Sequence, residues 1–209
     1  MMSQHDTKPI VYVIDDDASI RIAIDDLLAS IGLEAVTFAS ASEFLEYNRE
    51  KTRPSCLILD VRMPGQSGTD FYRYMRENGI NIPVIFITGH GDISMGVKAI
   101  KDGALEFLTK PFKDHELIEV VQRGIELEIS QLASEEAQSQ LSAKEKSLSQ
   151  GESDVFKLVV AGLLNKQIAG ELNISEITVK VRRAKLMQKM EANSLVDLVR
   201  MYDALHQEK

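Results

Sequence analysis

Several features that would assign a protein to a common functional class are missing from this 209-residue sequence. It has no tryptophan and a single cysteine, Cys56, which excludes an intrachain disulfide; we expect this thiol to be a small, buried core residue. No apolar run approaches the ~20 residues that a membrane-spanning helix needs, and residues 1–9 are not of signal-peptide type. The four histidines lack zinc-ligand spacing, and no glycine-rich phosphate loop occurs. We therefore expect a cytoplasmic protein without a membrane partner.

Positive charge is scarce in the first two thirds of the chain. The net charge of the whole sequence is −8, which argues against a protein that coats nucleic acid along its entire surface. Residues 1–143 hold 13 Lys and Arg against 23 Asp and Glu, a net of −10, whereas residues 144–209 hold 11 against 9, a net of +2. This asymmetry predicts two parts with different partners. The acidic part suits a metal ion, and the weakly basic part suits phosphates.

Short apolar runs alternate with helical segments over residues 10–112. The runs lie at 10–14, 35–38, 56–59, 84–87 and 104–108. Strands that alternate with helices form a parallel sheet covered on both faces, and consecutive apolar residues are typical of strands buried on both faces. The sequence therefore predicts a doubly wound α/β domain with a five-stranded parallel sheet.

The segment 113–142 has helical spacing. Its apolar positions recur every three or four residues: Leu117, Val121, Ile125, Ile129 and Leu132. Past Leu132 the apolar stripe is thin, which fits either an exposed connector helix or a flexible tether. We predict one continuous helix from about Asp114 to beyond Gln138, because Gly124 is its only helix breaker. A glycine inside a helix costs only about 1 kcal/mol, which packing against the sheet can offset.

Residues 148–205 show helical patterns only. Gly162 stands where a first helix would end, and a break at 173–175 precedes a third helix that runs from about Ser175, its N-cap, to Met190. A fourth helix is predicted from Ser194 to about residue 205. Two helices separated by a three- to four-residue turn form a helix-turn-helix, so this part of the chain is predicted to be an all-α, four-helix domain.

Polar side chains stand at or just after the ends of the predicted strands: Asp15, Asp16, Asp60, Thr88 and Lys110. In an open α/β sheet, ligands bind beyond the carboxyl ends of the strands, so these groups should meet there. Two carboxylates 4 Å apart repel by roughly 4 kcal/mol at an effective dielectric near 20, which favours a hard divalent cation such as Mg²⁺. Asp60 is then suited to accept a phosphoryl group whose oxygens Lys110 and Thr88 contact. The acidic run at 15–17 alone fits a helix N-terminus equally well.

The third predicted helix of the C-terminal part is basic on one side and apolar on the other. No acid stands between Ile177 and Met190, whereas five cations do: Lys180, Arg182, Arg183, Lys185 and Lys189. The apolar stripe should pack on the preceding helices: Val179, Leu186 and Met190. The opposite face suits a DNA major groove: Lys180, Val181, Ala184, Lys185 and Gln188. From charge alone, a solvated basic face is the alternative.

Residues 8 to about 125 resemble the receiver domain of bacterial two-component response regulators. Four segments carry the resemblance: 13–17 (VIDDD), 57–65 (LILDVRMPG), 87–92 (ITGHGD) and 107–112 (FLTKPF). The resemblance implies a sheet of order 2-1-3-4-5, with Asp60 as the phosphoacceptor for a sensor histidine kinase. It further implies that Asp15, Asp16, Asp60 and the backbone carbonyl of Arg62 hold Mg²⁺ or Mn²⁺. A phosphatase with an Asp nucleophile is a rival from another class, but Arg62 stands where such enzymes commonly carry their acid–base Asp.

The same resemblance assigns roles around the phosphoryl group. Thr88 and Lys110 would bind its oxygens. Phe107 occupies the family's aromatic switch position, although core packing alone also accounts for an aromatic residue in a strand. Arg62 and His90, two residues after the phosphoacceptor and after Thr88 respectively, are expected to flank the hydrolytic water and to tune dephosphorylation.

Four further segments resemble the LuxR/NarL-type DNA-binding domain: 148–152 (LSQGE), 161–169 (AGLLNKQIA), 172–175 (LNIS) and 178–181 (TVKV). Together the two halves resemble the FixJ subfamily. The resemblance implies a recognition helix at 175–190 and a set of DNA-binding residues: Asn165, Lys166, Gln167, Ser175, Thr178, Lys180, Val181, Ala184, Lys185 and Gln188. The last helix, with Leu195, Leu198 and Val199, would supply a dimer contact. Two residues depart from the family pattern, Gly151 in place of Arg and Arg182 in place of His.

These observations predict a receiver domain at 1–125, a helical linker at 126–145 and a DNA-binding domain at 146–209. We expect a phosphorylation-switched transcription regulator with four partners: a sensor histidine kinase, double-stranded promoter DNA, a second copy of the chain upon phosphorylation, and RNA polymerase. No enzymatic activity is expected beyond self-phosphotransfer to Asp60 and autodephosphorylation. The alternative is a receiver protein whose terminal domain binds RNA or a protein.

Overall fold

The computed structural model describes residues 8–89 and 93–206, without the side chains of residues 93–95 and 97. The chain forms two compact units, Met1–Leu132 and Ala133–Lys209. Within the described part of the chain, no helix combines the length and the apolar character required to cross a membrane.

The first unit is built on a five-stranded parallel sheet. Its strands are β1 (Ile10–Ile14), β2 (Glu34–Phe38), β3 (Ser55–Asp60), β4 (Val84–Thr88) and β5 (Glu106–Thr109). Their spatial order is β2-β1-β3-β4-β5, and every neighbouring pair is parallel. This arrangement confirms the predicted doubly wound α/β fold. β1, β3 and β4 are buried along their whole length, as their consecutive apolar residues predicted.

Helices cover both faces of the sheet. They are α1 (Ala18–Ser30), α2 (Ala41–Glu46), α3 (Gly68–Glu77), α4 (Ile93–Lys101) and α5 (Asp114–Lys146). One apolar layer contains Phe44 of α2 and Phe71 of α3, and the other contains Leu28 of α1 and Val121 of α5. Alternate residues of β1 and β3 contribute to opposite layers, because successive side chains of a strand point to opposite faces.

The predicted start of the fifth strand, at residue 104, was wrong by two residues. Gly103 has a φ of 96°, and the backbone N–H of Ala104 donates to the carbonyl of Ala99 at 3.0 Å, which ends α4 rather than beginning a strand. The ladder with β4 begins only where the N–H of Leu105 donates to Val84 at 2.8 Å. Ala104 and Leu105 are therefore apolar because the turn that follows α4 packs against the core.

The single cysteine lies beneath α5. Cys56 is fully buried in β3, as expected, and burial raises the pKa of its thiol to about 12. A Cβ atom at Gly124 would lie 3.0 Å from Cδ2 of Leu105 and 3.3 Å from Sγ of Cys56. Gly124 therefore allows a close approach of α5 to the sheet, which explains why a helix breaker is tolerated there.

Gly68 positions the loop that leaves β3. Its N–H donates to the carbonyl of Val61 at 2.9 Å, and a Cβ atom at this position would lie 2.1 Å from the backbone oxygen of Asp60. No side chain can be accommodated without moving backbone. The close approach of the first residue of α3 to the end of β3 thus fixes the path of the chain immediately after Asp60.

The second unit is helical. It contains α6 (Gln150–Val160), α7 (Asn165–Glu171), α8 (Glu176–Met190) and α9 (Leu195–His206), which confirms the predicted four-helix domain. The C-terminal end of α5 adds to it, because Leu141 packs against its core and Gln138 donates a 3.1 Å hydrogen bond to the carbonyl of Ala204. α5 is one continuous helix of 33 residues, which confirms the predicted connector helix and rules out the flexible tether.

One residue expected at a dimer surface belongs to the core instead. Leu198 of α9 is fully buried within the second unit, and Val199 is half-buried. The large apolar side chains that α9 leaves exposed are Leu195 and Val196, at 41% and 58%. The helical period places Leu198 on the opposite side of α9 from Val196, which is why a list of apolar positions alone did not separate core from surface.

Replacing Gly68 by Ala should destabilise the first unit by about 1–3 kcal/mol, because the added Cβ collides with backbone rather than with a movable side chain. The matched control is Gly170→Ala in α7, where no atom lies within 4 Å of the added Cβ and helix propensity should raise stability slightly. Thermal unfolding of both variants measures the difference. Equal melting temperatures for G68A and the wild type would contradict this account of the turn.

Candidate functional site

An acidic pocket lies at the carboxyl end of the sheet. Asp15 directly follows β1 and Asp60 ends β3, and because these strands are neighbours in register, with Ile14 beside Leu59, the two carboxylates meet. Asp15 and Asp60 are 1% and 4% exposed, whereas Asp16 is exposed. One carboxylate oxygen from each of the three lies within 4.8 Å of the others. An all-oxygen donor set of this spacing fits a hard divalent cation.

Lys110 offsets part of the negative charge of the two buried carboxylates. Its Nζ lies 2.5 Å from Oδ2 of Asp15 and 3.0 Å from Oδ1 of Asp60. Burial raises the pKa of Asp60, an effect that the hydrogen bond and charge of Lys110 oppose. Burial lowers the pKa of Lys110, but its hydrogen bonds to Asp15 and Asp60 outweigh this effect and leave the pKa above its ordinary value. The ammonium therefore remains charged at neutral pH.

Backbone contacts hold the two acidic loops in place. The N–H of Asp17 donates to Oδ1 of Asp15 at 2.9 Å, and the N–H of Arg62 donates to Oδ2 of Asp60 at the same distance. Arg21 donates through Nη1 to the carbonyl of Asp15 at 2.6 Å and to that of Asp16 at 3.1 Å. Sequence reasoning missed Arg21, because a contact with backbone carbonyls leaves no residue pattern.

The structure describes three of the other predicted receiver residues, Thr88, Phe107 and Arg62. Thr88 ends β4 and is 1% exposed, and its carbonyl accepts a 2.6 Å hydrogen bond from the N–H of Lys110. Phe107 of β5 is half-buried, and its ring packs against Gly96 of α4. A Cβ atom added at Gly96 would lie 2.9 Å from Cδ1 of that ring. The side chain of Arg62 is exposed. His90 lies outside the described residues.

The predicted faces of α8 are separated as expected. Val179, Leu186 and Met190 are fully buried. Five residues of the opposite face are exposed: Lys180, Val181, Ala184, Lys185 and Gln188. α8 thus presents a face with two lysines to solvent while its other side anchors it in the second unit.

Several predicted DNA-binding residues also make hydrogen bonds within the unit. Ser175 caps α8, because its Oγ accepts from the N–H of Thr178 at 3.1 Å and lies 2.9 Å from the hydroxyl of that residue. Oδ1 of Asn165 accepts from Arg183 at 3.1 Å, and Oε1 of Gln167 accepts from the N–H of Leu164 at 2.8 Å. Lys166 is exposed. Four of these side chains therefore shape the helix-turn-helix whether or not they touch DNA.

An ion pair between the buried Glu152 and the partly exposed Lys189 anchors the far end of α8. Lys189 donates through Nζ to Oε2 of Glu152 at 2.7 Å and to the carbonyl of Ser147 at 2.9 Å. Glu152 also closes a capping box with Ser149 at the start of α6. The hydrogen bond from Lys189, with that from the Ser149 N–H, lowers the pKa of Glu152 to about 2. The Ser149 to Glu152 spacing is the sequence signal that predicts the capping box, but not its lysine partner.

The two departures from the family pattern occupy the same place. A Cβ atom at Gly151 would lie 2.5 Å from Cζ of Arg182, so the guanidinium of α8 lies against the first turn of α6. Arg182 is half-buried there rather than extended into solvent. The absence of a side chain at residue 151 thus provides the space that the larger residue at 182 occupies.

Comparison with known proteins assigns the chain to a family. Residues 11–122 match the response regulator receiver domain, and residues 146–202 match the bacterial regulatory proteins of the luxR family. Nodulation protein W of Bradyrhizobium diazoefficiens is 47% identical over 199 residues, which are 95% of this chain and 87% of that protein. The chain therefore belongs to the two-component response regulators with a LuxR-type DNA-binding domain.

Solved structures place it more narrowly. The response regulator StyR superposes with a TM-score of 0.86 at 45% identity, covering 94% of this chain and 98% of StyR. Full-length FixJ from B. japonicum superposes with a TM-score of 0.56 at 38% identity, covering 97% of this chain and all of FixJ. The resemblance to the FixJ subfamily is thereby confirmed.

The Lys189–Glu152 pair predicts a pH-dependent stability of the second unit. Because the pKa of Glu152 is lowered on folding, the pair stabilises fully above its ordinary pKa of 4.5 and loses this contribution as the pH falls toward 2. Lys189→Met should therefore lower stability by about 1–2 kcal/mol at pH 7 and by progressively less below pH 4.5. Calorimetric unfolding between pH 7 and pH 3 measures this difference.

Lys144→Met is the control for that series. Lys144 pairs at 2.7 Å with Glu191, whose side chain is 72% exposed, and such surface pairs contribute little. A constant difference between Lys189→Met and the wild type across the pH range would assign the effect to packing and contradict the ion-pair account.

Proposed function

We propose that this response regulator is a transcription factor switched by phosphoryl transfer from a phosphohistidine of a sensor histidine kinase to Asp60. The observation that carries the proposal is the environment of the Asp60 carboxylate. It is nearly buried at the end of the central strand, shares its pocket with Asp15 and Asp16, and contacts Lys110 at 3.0 Å. Crowded carboxylates that are not needed for packing are typical of a reactive or metal-binding site.

In the proposed step, a carboxylate oxygen of Asp60 attacks the phosphorus atom. The P–N bond breaks, and the kinase imidazole leaves with the bonding electron pair and later takes up a proton. Lys110, which lies 2.5 Å from Asp15 and 3.0 Å from Asp60, would pair with the phosphoryl oxygens, and the Thr88 hydroxyl would donate to them.

Asp15, Asp16, Asp60 and the backbone carbonyl of Arg62 would hold Mg²⁺ or Mn²⁺. When bound, the ion would supply the positive charge that offsets both the crowded carboxylates and the incoming phosphoryl oxygens. Arg21, which donates to the carbonyls of Asp15 and Asp16, would keep this loop oriented toward the cation.

The phosphorylated state would be read by Thr88 and Phe107, as in the family, and would favour a homodimer. Leu195 and Val196 are the large apolar side chains that α9 leaves exposed, and they would contribute to the contact. The paired recognition helices would then bind promoter DNA, where the regulator could contact RNA polymerase. We expect no catalysis beyond self-phosphotransfer and autodephosphorylation, the latter tuned by Arg62 and His90.

Asp60 should be the only phosphorylation site. With a small phosphodonor and Mg²⁺, the intact mass of the wild type should increase by one phosphoryl group, whereas Asp60→Asn should remain unmodified. Asp16→Asn, which leaves the phosphoacceptor intact but replaces a charged metal ligand by a neutral one, should react more slowly. A phosphoryl mass on Asp60→Asn, or full modification of the wild type without a divalent ion, would show that the site is misassigned.

Phosphorylation should tighten DNA binding through dimer formation. Two recognition helices about one DNA turn apart would contact half-sites roughly 10 base pairs apart, which can raise avidity by about 10²–10⁴. Lys180→Ala and Lys185→Ala should each weaken binding and reduce the salt slope by about one if the lost contact was to phosphate. Titrations at several salt concentrations, with and without phosphodonor, measure both effects.

Lys113→Ala is the control for these titrations, because Lys113 is an exposed lysine of the first unit. Equal affinities in both phosphorylation states, together with wild-type binding by Lys180→Ala and Lys185→Ala, would mean that α8 is not the output surface. Tighter binding of RNA than of duplex DNA would instead support the alternative output.

A further inference from the structure

We infer that Ile177 and Val181 form an apolar edge of α8 that contacts thymine methyl groups in the DNA major groove. This inference rests on the proposed function, that the second unit binds double-stranded DNA, and it specifies which base the helix selects. Neither residue takes part in the core of the second unit.

Both side chains are unusually exposed for their size. Ile177 is 74% and Val181 51% exposed, although both are β-branched apolar residues. Single exposed apolar residues are common on protein surfaces and require no explanation. These two are four residues apart, however, so they lie one above the other on the same face of α8, and Ala184, also exposed, continues the same stripe.

The stripe is placed on the side of α8 that faces away from the protein. With 3.6 residues per turn, Ile177, Val181 and Ala184 lie opposite the fully buried Val179 and Leu186. The helix therefore has two apolar stripes, of which only one is used for folding. The unused stripe begins in the first turn, the part of a recognition helix whose side chains reach base edges.

The charges beside the stripe identify the partner. Lys180 borders it on one side and Lys185 on the other, and both are exposed. A protein that bound an apolar stripe would not require a cation on each side of it. The major groove, in contrast, is flanked on both sides by a phosphate backbone. The geometry thus matches two rows of phosphates with an uncharged surface between them.

The apolar character of the stripe selects the base. Among the four bases, thymine presents a methyl group in the major groove, and apolar side chains recognise it by contact. Guanine, adenine and cytosine present donors and acceptors that Ile177 and Val181 cannot satisfy. A half-site should therefore contain at least one thymine opposite the first turn of α8.

The test is a comparison of thymine with uracil, which pairs identically and lacks only the C5 methyl group. The phosphorylated full-length protein is used to select a duplex from a random library, and the selected duplex is resynthesised with one dT replaced by dU at a time. The wild type should bind about fourfold more weakly for each contacted methyl that is lost, the factor expected for one buried CH₂-sized group. Ile177→Ala should bind the dT and dU duplexes equally at the position it contacts, and Ile177→Val should retain part of the preference.

Two controls separate this effect from general losses of affinity. Lys185→Ala should weaken binding to both duplexes while keeping the dT to dU ratio. Ile22→Ala, at an isoleucine that is 63% exposed on α1, should behave as the wild type.

Three outcomes overturn the inference. Failure to select or bind any duplex would overturn the proposed function along with it. Binding with dT to dU ratios near one at every position, or a ratio that persists in Ile177→Ala, would leave DNA binding intact and overturn only the thymine contact. A persisting ratio would point to altered DNA shape rather than to the side chain.

Discussion

The ammonium group of Lys110, held between the carboxylates of Asp15 and Asp60, is the interaction on which the first unit depends. Two acids can be buried side by side at the ends of neighbouring strands only if a cation compensates for the loss of hydration. The strand order that places β1 beside β3 brings the acids together, and β5 supplies the lysine from across β4. The same arrangement that makes the buried acids tolerable therefore places a positive charge in the pocket, beside the carboxylate of Asp60.

How far the sequence predicted this unit depended on the kind of interaction. The central strands are buried on both faces, so runs of consecutive apolar residues revealed them to within a residue. The start of β5 was predicted two residues too early, because an apolar residue such as Ala104 is equally compatible with the end of a helix and the start of a strand. The acids and Lys110 were found from their positions after strands, whereas Arg21 acts on carbonyl groups, which every residue possesses.

In the second unit, periodicity identified the buried and exposed faces of α8. It did not reveal which polar side chains make hydrogen bonds within the unit. Val179 and Lys180 were assigned correctly to core and surface, since helical geometry alone separates them. Ser175 and Asn165 could not be resolved in the same way, because a side chain that could contact a phosphate can equally bond to its own chain. The contact of Arg182 with Gly151 joins two residues that are 31 positions apart in sequence, and only the packed structure reveals it.

The burial of Cys56 beneath Gly124 has a practical consequence for how the protein responds to its surroundings. A fully buried thiol with a pKa near 12 is neither exposed nor deprotonated at neutral pH, so Cys56 is a poor target for oxidants in the folded protein. Alkylation of this thiol requires the structure around it to open, and α5 is one of the elements that cover it. Because Cys56 is the single cysteine, its rate of labelling reports how often this part of the first unit opens.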